Sequence, residues 1–464
     1  MRKNLHIKVL CLAFLVLFSG GRVHLPAQGS GNLTIEMVLD QIVDLLTDYR
    51  EEEAIALFDI IPLPERNSSY IRLLEASVLS SIGRFDQART ILEQVTRAEP
   101  DNIDAYFILS AIEGATGRTR QEQAALEQII QLEPQNEEAL IGLGNLHLRN
   151  RAMQNAIRYF DRVISFNPRS SSALLGQARA LRMNSQWDEA ESILDRTIEL
   201  FPNLAEARTE RSRYHWGRGQ LVPALADLDE ARRLAPQDYW ISIDRGTLLL
   251  EMMLLEEALE EFNRAISINP GEFRAYIFSA GLKDDLGDPD GAAHDYAVLS
   301  RLRPEYYFAL EGLGLHMMRQ EKWEEARDAF MEAYTQSPED FLYALLGVVA
   351  WMKMGDITAP RDYINQVIPR LRRDSLEWHM FRLYLDLTNR NYIAERDMVT
   401  RLDREENSDY KARMLFFMAQ YYDIRENTTM ANNYFRQIGE MNTRRIPEWR
   451  LNEWILAARG ISVR

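Results

Sequence analysis

The chain has 464 residues, which is too many for one ordinary hydrophobic core, so several domains or an array of repeats are expected. Its hydrophobic content of 46% and charged content of 27% are typical of a folded globular protein and exclude disorder over most of its length. The 70 acidic and 54 basic residues give a net charge of −16, which argues against a broad surface for nucleic acid or anionic lipid.

Residues 1–27 have the pattern of a secretory signal peptide. Three basic residues precede a short apolar stretch, residues 9–18, and small residues follow it. Ten apolar residues span roughly 15 Å as a helix, about half of a bilayer core, which favours a cleaved signal over a membrane anchor. Cleavage is expected after Gly21 or Ala27, and residues 28–34 are predicted to be a short linker.

The expected location is therefore outside the cytoplasm, in the periplasm or secreted. The alternatives are anchoring through an uncleaved N-terminal segment and a cytoplasmic protein whose N-terminus only mimics a signal. Cys11 is the single cysteine and lies within this segment, so the mature chain is expected to have no disulfide and no thiol chemistry. No stable membrane span is expected after cleavage, because no second long apolar stretch follows.

From Ile35 to Asp340 the sequence repeats every 34 residues, which is the distance from Pro100 to Pro134. Half of the sixteen prolines stand at this spacing, and such a fixed period is the mark of a repeat architecture. Proline ends a helix because it lacks an N–H group and disfavours the helical conformation of the residue before it. The prolines of this series are Pro100, Pro134, Pro168, Pro202, Pro236, Pro270, Pro304 and Pro338.

Two further positions repeat with the prolines. Twelve residues before each proline stands a small residue, and four residues later a large apolar residue follows. Small side chains allow two helices to cross closely, and the large residue fills the space beside the crossing. The small residues are Ala88, Ala156, Ala190, Ala224, Ala258, Ala292 and Ala326, with Glu122 as the exception. A second small position, such as Gly144, Gly246 or Gly314, lies twelve residues before the alanine.

This pattern resembles the tetratricopeptide repeat family, whose unit has a small residue eighth, alanine twentieth, a large residue near position 24 and proline at position 32. The segments 83–88 and 323–326 are similar to the family's turn between two helices. The resemblance covers residues 35–443 and implies an all-α, right-handed superhelical solenoid of about 12 helix-turn-helix repeats. Each repeat leaves an apolar face that only its neighbour can bury.

The expected organisation is nine in-frame repeats over residues 35–340, then three degenerate repeats over residues 341–443. The tenth repeat is predicted to slip by one residue, with Gly347, Ala359 and Tyr363 in the small, alanine and large positions. A division into two modules at this slip is an alternative, although no Gly/Ser-rich linker supports it. Residues 444–464 are predicted to form a capping helix, from Pro447 to Ala458, and a tail.

The sequence carries no pattern of catalytic or metal-binding residues. The seven histidines do not form the H-E-x-x-H spacing of a zinc helix, and no phosphate-binding loop follows a strand. His147 falls at a packing position, and the acidic pairs Asp284–Asp285 and Glu324–Glu325 are expected on solvated faces. The chain is therefore predicted not to be an enzyme and to need no cofactor or metal.

The resemblance also implies that the first helix of each repeat lines a concave groove, and it indicates which positions face it. In repeats 4 to 6 these positions form a basic stretch, and from repeat 7 onward they are largely apolar. The basic stretch is Asn145, Arg149, Arg179, Arg182 and Arg213. The apolar stretch is Trp240, Ile277, Phe308, Leu315, Met318, Phe341 and Trp351.

The predicted function is a non-catalytic scaffold or adaptor that binds a peptide or protein in this groove, and no nucleic-acid partner is expected. Arginine holds carboxylates bidentately and aromatic residues anchor interfaces, so the partner is expected to be acidic with apolar anchors. The alternative for the side chains is that the arginines pair with neighbours such as Glu206 and Glu210 and the aromatics pack between repeats. The alternative functions are binding of an envelope polysaccharide or other glycan and a cytoplasmic adaptor.

Overall fold

Almost every described residue belongs to a helix or to the short turn between two helices. The computed structural model contains 26 α-helices and one 3-10 turn in its described residues, and no β-strand there. The predicted signal peptide and linker, residues 1–34, lie outside these residues. The described residues are 35–356, 358–387, 392–441, 443 and 445–463.

The chain divides into two compact units, one ending at Leu234 and the other beginning at Ala235. The described helices of the first unit are arranged as hairpins, with one short extra helix, α3. They are α1 (Ile35–Thr47), α2 (Glu51–Phe58), α3 (Leu63–Arg66), α4 (Ser69–Ser81), α5 (Phe85–Ala98), α6 (Ile103–Ala115), α7 (Thr119–Leu132), α8 (Glu137–Arg149), α9 (Met153–Phe166), α10 (Ser171–Met183), α11 (Trp187–Leu200), α12 (Ala205–Gly217) and α13 (Leu221–Leu234).

The second unit continues the hairpins and ends on a single helix. It also contains a 3-10 turn, Ile368–Arg370. Its helices are α14 (Tyr239–Glu251), α15 (Leu255–Ile268), α16 (Phe273–Asp285), α17 (Pro289–Leu302), α18 (Tyr307–Arg319), α19 (Trp323–Gln336), α20 (Phe341–Lys353), α21 (Thr358–Val367), α22 (Leu376–Leu385), α23 (Tyr392–Arg404), α24 (Ser408–Ile424), α25 (Thr428–Glu440) and α26 (Pro447–Ala458).

The period of the sequence fixes the length of each helix from α4 to α20. Every first helix there has 13 residues and every second helix has 14. Several first helices begin with a polar cap: the Asn102 side chain, for example, accepts the backbone N–H of Ala105 at 3.0 Å, satisfying a donor that the helix leaves free.

Two residues after a first helix ends, a residue with positive φ reverses the chain before the second helix begins. Glu426 has this conformation near the end of the chain. In the first ten repeats only half of the residues at this position are glycine. They are Tyr49, Gly83, Gly117, Arg151, Ser185, Gly219, Met253, Gly287, Glu321 and Gly355.

The predicted packing of small against large residues is confirmed. The alanines of the repeat are fully buried, as are Phe160, Phe262 and Phe330 at the large position. A Cβ atom on Gly314 would lie 2.6 Å from the Phe330 ring, so the glycine leaves the room that this ring occupies. Likewise, a Cβ atom on Gly144 would lie 2.6 Å from the Phe160 ring, and one on Gly246 would lie 2.9 Å from the Phe262 ring.

The tenth repeat stays in frame, and the predicted slip is wrong. Helix α20 begins and ends one full period after α18, and Gly355 has the positive φ that marks the frame. In its second helix the buried residues at the alanine and large positions are Pro360 and Ile364, one residue later than predicted. Proline at the alanine position hides the frame in the sequence, because the family pattern has alanine there.

The last helices return to the first helices of earlier repeats in the same unit. Helix α24 contacts α20, and α26 contacts α18 as well as α24 and α25. Helix α20 is consequently covered on all sides, and residues 342–350 are buried without a break. The predicted capping helix therefore exists with the expected bounds, but it also covers a surface that lies several hairpins earlier.

Candidate partner-binding surfaces

Three arginines of the predicted basic stretch meet at one buried carboxylate. Glu210 of α12 is 1% exposed. Its Oε1 atom accepts from Nε of Arg179 at 3.1 Å and from Nη1 of Arg213 at 2.7 Å. The nearest guanidinium nitrogen of Arg182 is 3.9 Å from Oε2. The arginines thus pair with a neighbouring carboxylate, and the partner is Glu210, one of the two that the sequence suggests.

Charge and burial act in opposite directions in this cluster. Burial alone would raise the pKa of Glu210, but the surrounding guanidinium groups outweigh it and hold the pKa below its usual value. Burial lowers the pKa of Arg182, as do the positive charges of Arg213 and Arg179. The Nε atom of Arg182 is buried and has no hydrogen-bond partner among the described residues. Arg182 is therefore the least satisfied cation of the three.

The other two residues of the basic stretch lie on α8. Arg149 is exposed and pairs with Glu122, the one acidic residue in the alanine series. Gly114 lies against the Glu122 carboxyl group, with its ideal Cβ position 3.1 Å away, which explains how this repeat accepts the larger residue. Asn145 is half-buried. Among the described residues, neither of them forms a hydrogen bond or ion pair with the Glu210 cluster.

The apolar stretch is mostly covered rather than open. Leu315 and Met318 are 7% and 3% exposed, so their side chains belong to the core of the second unit. This burial follows from the return of α24 and α26 onto the first helices, which a local sequence pattern does not show. Among the seven predicted residues only Phe308 is half exposed, at 50%.

Arginine side chains lie over three more of the predicted apolar residues. The guanidinium carbon of Arg274 is 4.5 Å from the ring centre of Trp240. Arg327 lies 5.4 Å from Trp351, and Arg370 lies 5.8 Å from Phe341. Cation–π contacts of this kind stabilise a half-buried ring within the chain, so these three rings already contact side chains of the protein itself.

Phe308 borders a cavity of about 510 Å³ in the second unit, here called the Phe308 cavity. Ile277 and Leu315 of the predicted stretch also line it, and α26 supplies the opposite wall with Trp454. A second cavity of about 500 Å³, the Trp323 cavity, also has Trp454 in its lining, together with Met318 and Trp323.

Of the acidic pair Asp284–Asp285, Asp285 is exposed as the sequence predicts, but Asp284 is not. The Asp284 side chain is 8% exposed, and its Oδ1 atom lies 3.0 Å from Nε2 of His316. Nη1 of Arg450 is 3.0 Å from Asp284 Oδ2, and Nη2 of the same arginine is 2.7 Å from Asp285 Oδ1. Arg450 lies far along the chain from this pair, and no sequence spacing could have indicated it.

The described residues contain no group of three or more His, Cys, Asp or Glu side chains that could hold a metal ion. His147 is buried and stacks on Tyr159 at 5.4 Å, which confirms its packing role. Burial lowers the pKa of this histidine. Within the described ranges, every helix is too short or too polar to cross a bilayer.

Comparison with known proteins agrees with this architecture. Tetratricopeptide repeat profiles match residues 70–102, 113–172, 175–239 and 282–341. Human superkiller complex protein 3 is 32% identical over 111 residues, which are 23% of this chain and 7% of that protein. The co-chaperone DNJ1 of Fusarium oxysporum f. sp. lycopersici, which has tetratricopeptide repeats and a J domain, is 30% identical over 91 residues, or 20% of this chain and 18% of its own.

Among solved structures, a tetratricopeptide repeat protein from Parabacteroides merdae aligns with a TM-score of 0.46 and 19% identity. The alignment covers 53% of this chain and 96% of that one. The chain belongs to the tetratricopeptide repeat family, as the matched profiles and the regular helical hairpins show. Proteins of this class are generally non-catalytic scaffolds that mediate protein–protein interaction.

Proposed function

We propose that the chain is a protein-binding scaffold whose first unit holds an acidic segment of a partner at Arg179 and Arg182. The observation that carries this proposal is the state of Arg182. Its guanidinium group is only partly exposed, its Nε has no hydrogen-bond partner among the described residues, and its nearest carboxylate is 3.9 Å away. The Arg182 side chain is 23% exposed, so the carboxylate of a partner would bind its accessible part and stabilise its charge.

The charge of the whole chain makes such a cluster selective. With a net charge of −16 the protein repels acidic polymers in general, so an acidic segment is held only where cations are concentrated. Arg179 already makes hydrogen bonds to Glu210 and fixes that carboxylate in place. Arg182 then presents donors in the fork geometry that binds carboxylates bidentately.

Binding of a fluorescein-labelled hexaglutamate peptide, measured by anisotropy in low salt, tests this proposal. We expect the affinity to fall at least about tenfold in the double variant Arg179→Gln, Arg182→Gln, because two charge-assisted contacts are lost. The control is Arg120→Gln, which removes one positive charge at an exposed position on α7 and should leave the affinity unchanged.

Two further measurements test whether binding depends on charge and whether the variant is folded. A hexaglutamine peptide should not bind, and the affinity of hexaglutamate should weaken as salt is raised. Thermal melting must show that the double variant is folded. Equal hexaglutamate affinity in the wild type and the folded double variant would contradict the proposal.

We propose in addition that this scaffold works outside the cytoplasm. The support is the order of basic, apolar and small residues over residues 1–27. Sequencing the N-terminus of the protein purified from its source cells tests this. A mature chain that begins at Arg22 or Gln28 is the expected result, and an intact N-terminus on a cytoplasmic protein would overturn it.

A further inference from the structure

The Phe308 cavity has the size and the lining of a site for a small molecule. Its volume of about 510 Å³ is present with α26 in place as one wall, so a ligand needs no helix to move. Ligand sites in proteins have volumes of roughly 300–1,000 Å³ and combine apolar and aromatic walls with a few polar groups. The aromatic side chains that line this cavity are Tyr296, Tyr306, Phe308 and Trp454.

Two of the charged side chains that line the cavity neutralise each other. Nη1 of Arg450 lies 3.0 Å from Oδ2 of Asp284. The other two are Glu311 and Arg445, and neither forms an ion pair with any described residue, including each other. The cavity therefore has one acidic and one basic side chain that lack a counter-ion within the described part of the chain.

Glu311 is a buried acid without a cation. It is 8% exposed, and the hydroxyl group of Tyr343 donates a hydrogen bond of 2.7 Å to its Oε2 atom. Burial raises the pKa of Glu311 to about 7, because no positive charge close to it compensates for the loss of water. An ammonium group in the cavity would supply this charge and favour the ionised carboxylate. Aromatic rings such as those of Phe308 and Trp454 also attract a cation.

Arg445 offers the opposite charge. It is exposed and stands two residues before α26 begins at Pro447. A guanidinium group without a counter-ion can hold a carboxylate through two parallel hydrogen bonds. Between the charged residues, the aliphatic side chains of Ile277, Leu299 and Leu315 line the cavity and would cover an apolar group.

We propose that the Phe308 cavity binds a free amino acid with an apolar side chain, whose ammonium group lies at Glu311 and whose carboxylate lies at Arg445. A ligand with both charges is favoured because a simple cation would leave Arg445 without a counter-ion, and a simple anion would meet the carboxylate of Glu311. The site lies in the second unit and takes a small molecule, so its test is independent of the Arg179 and Arg182 proposal.

Three probes with the same phenyl ring test the proposal by isothermal titration calorimetry on the full chain. Phenylalanine carries both charges, phenethylamine has only the ammonium group, and hydrocinnamate has only the carboxylate. A buffer of about pH 8 keeps Glu311 mostly ionised. We expect phenylalanine to bind at least about tenfold more tightly than either of the other two, because it makes both charged contacts.

Single variants then assign each charge of the ligand to its residue. Glu311→Gln should remove the advantage of phenylalanine over hydrocinnamate, since the ammonium group loses its carboxylate. Arg445→Gln should remove its advantage over phenethylamine. The matched controls are Glu325→Gln and Arg301→Gln, which change exposed residues that do not line the cavity and should leave all three affinities unchanged.

The absence of phenylalanine binding to the wild type would overturn the proposal, and so would equal affinities for the three probes. If Glu311→Gln does not fold, Arg445→Gln decides the question, because it changes an exposed side chain and is expected to fold. An unchanged preference for phenylalanine over phenethylamine in that variant would contradict the site.

Discussion

The hydroxyl group of Tyr343 donates a hydrogen bond of 2.7 Å to Oε2 of Glu311, joining the first helices of two consecutive repeats. Both side chains are buried between α18 and α20. Burial raises the pKa of Glu311 to about 7, although the hydrogen bond from Tyr343 acts in the opposite direction. This carboxyl group is therefore partly protonated at neutral pH.

The pH dependence of the protein's stability should reflect the titration of Glu311. The pKa of Glu311 is about 7 in the folded chain and has a usual value of 4.5, so the folded chain binds the proton more tightly. The resulting stabilisation is fully present below about pH 4.5 and is lost as the pH rises through 7. Between pH 5 and 8 we expect the wild type to lose up to roughly 3 kcal/mol relative to Glu311→Gln.

Thermal melting at several pH values measures this difference. Glu325→Gln is the matched control, because Glu325 is exposed on the next helix. The control should follow the wild-type pH profile. Parallel profiles for the wild type and Glu311→Gln would show that Glu311 does not titrate in this range.

The turn after each first helix offers a conformational prediction. Met253 has a φ of 61° and is 75% exposed, so it bears the strain of this backbone with little packing in return. We expect Met253→Gly to stabilise the protein by about 1 kcal/mol. Gly219 occupies the same position with a φ of 73° and open space around it, so Gly219→Ala should destabilise by a similar amount.

Chemical denaturation curves of the two variants and the wild type give the comparison. Opposite shifts of the midpoint are expected. If both substitutions move it in the same direction, backbone strain at this position is not the deciding factor.

Two glycines inside first helices should respond oppositely to alanine. A Cβ atom on Gly314 would lie 2.6 Å from the Phe330 ring, whereas a Cβ atom on Gly281 would meet no atom within 4 Å. Gly314→Ala is expected to destabilise by about 1–3 kcal/mol through overpacking. Gly281→Ala is expected to stabilise by about 1 kcal/mol, because alanine is the better helix former. Melting temperatures of the two single variants distinguish packing from propensity.

Glu210 should affect stability and binding in opposite directions. Replacing it with glutamine leaves the neighbouring guanidinium groups without their buried anion, and we expect a loss of about 3 kcal/mol of stability. The same change removes the negative charge beside Arg179 and Arg182, so hexaglutamate should bind more tightly. Thermal melting and anisotropy on one variant measure both effects. Weaker binding by a folded Glu210→Gln protein would mean that Glu210 positions the arginines for the partner.

The repeat itself could be predicted because its causes are local and recur. Small and large residues 16 positions apart, such as Gly314 and Phe330, meet inside one hairpin, and each hairpin shows the same pairing. The positive-φ position was harder to recognise, since residues such as Met253 and Glu321 occupy it as often as glycine does. Pro360 hid the frame of the tenth repeat because it stands where the family pattern has alanine.

Contacts between distant hairpins could not be predicted from spacing. The carboxylate of Asp284 meets Arg450 only because the last helices return to α16 and α18, and no repeat position encodes that return. One signal was available in α20, whose sequence is apolar on every side. A helix of that kind is normally buried all round, which argues against an open groove at Trp351. Whether Arg179 and Arg182 bind a partner stays a prediction.

The Trp454 ring lies 5.0 Å from the imidazole ring of His316, and this contact fixes the number of hairpins between α18 and α26. Inserting or deleting one whole hairpin between α18 and α26 would carry the tryptophan one step along the stack, away from its imidazole partner. In the first unit the main contacts of each described hairpin are with the hairpins beside it, so a gain or loss there leaves the others unchanged. Duplication can thus lengthen the chain before Leu234, whereas the number of hairpins between α18 and α26 is fixed.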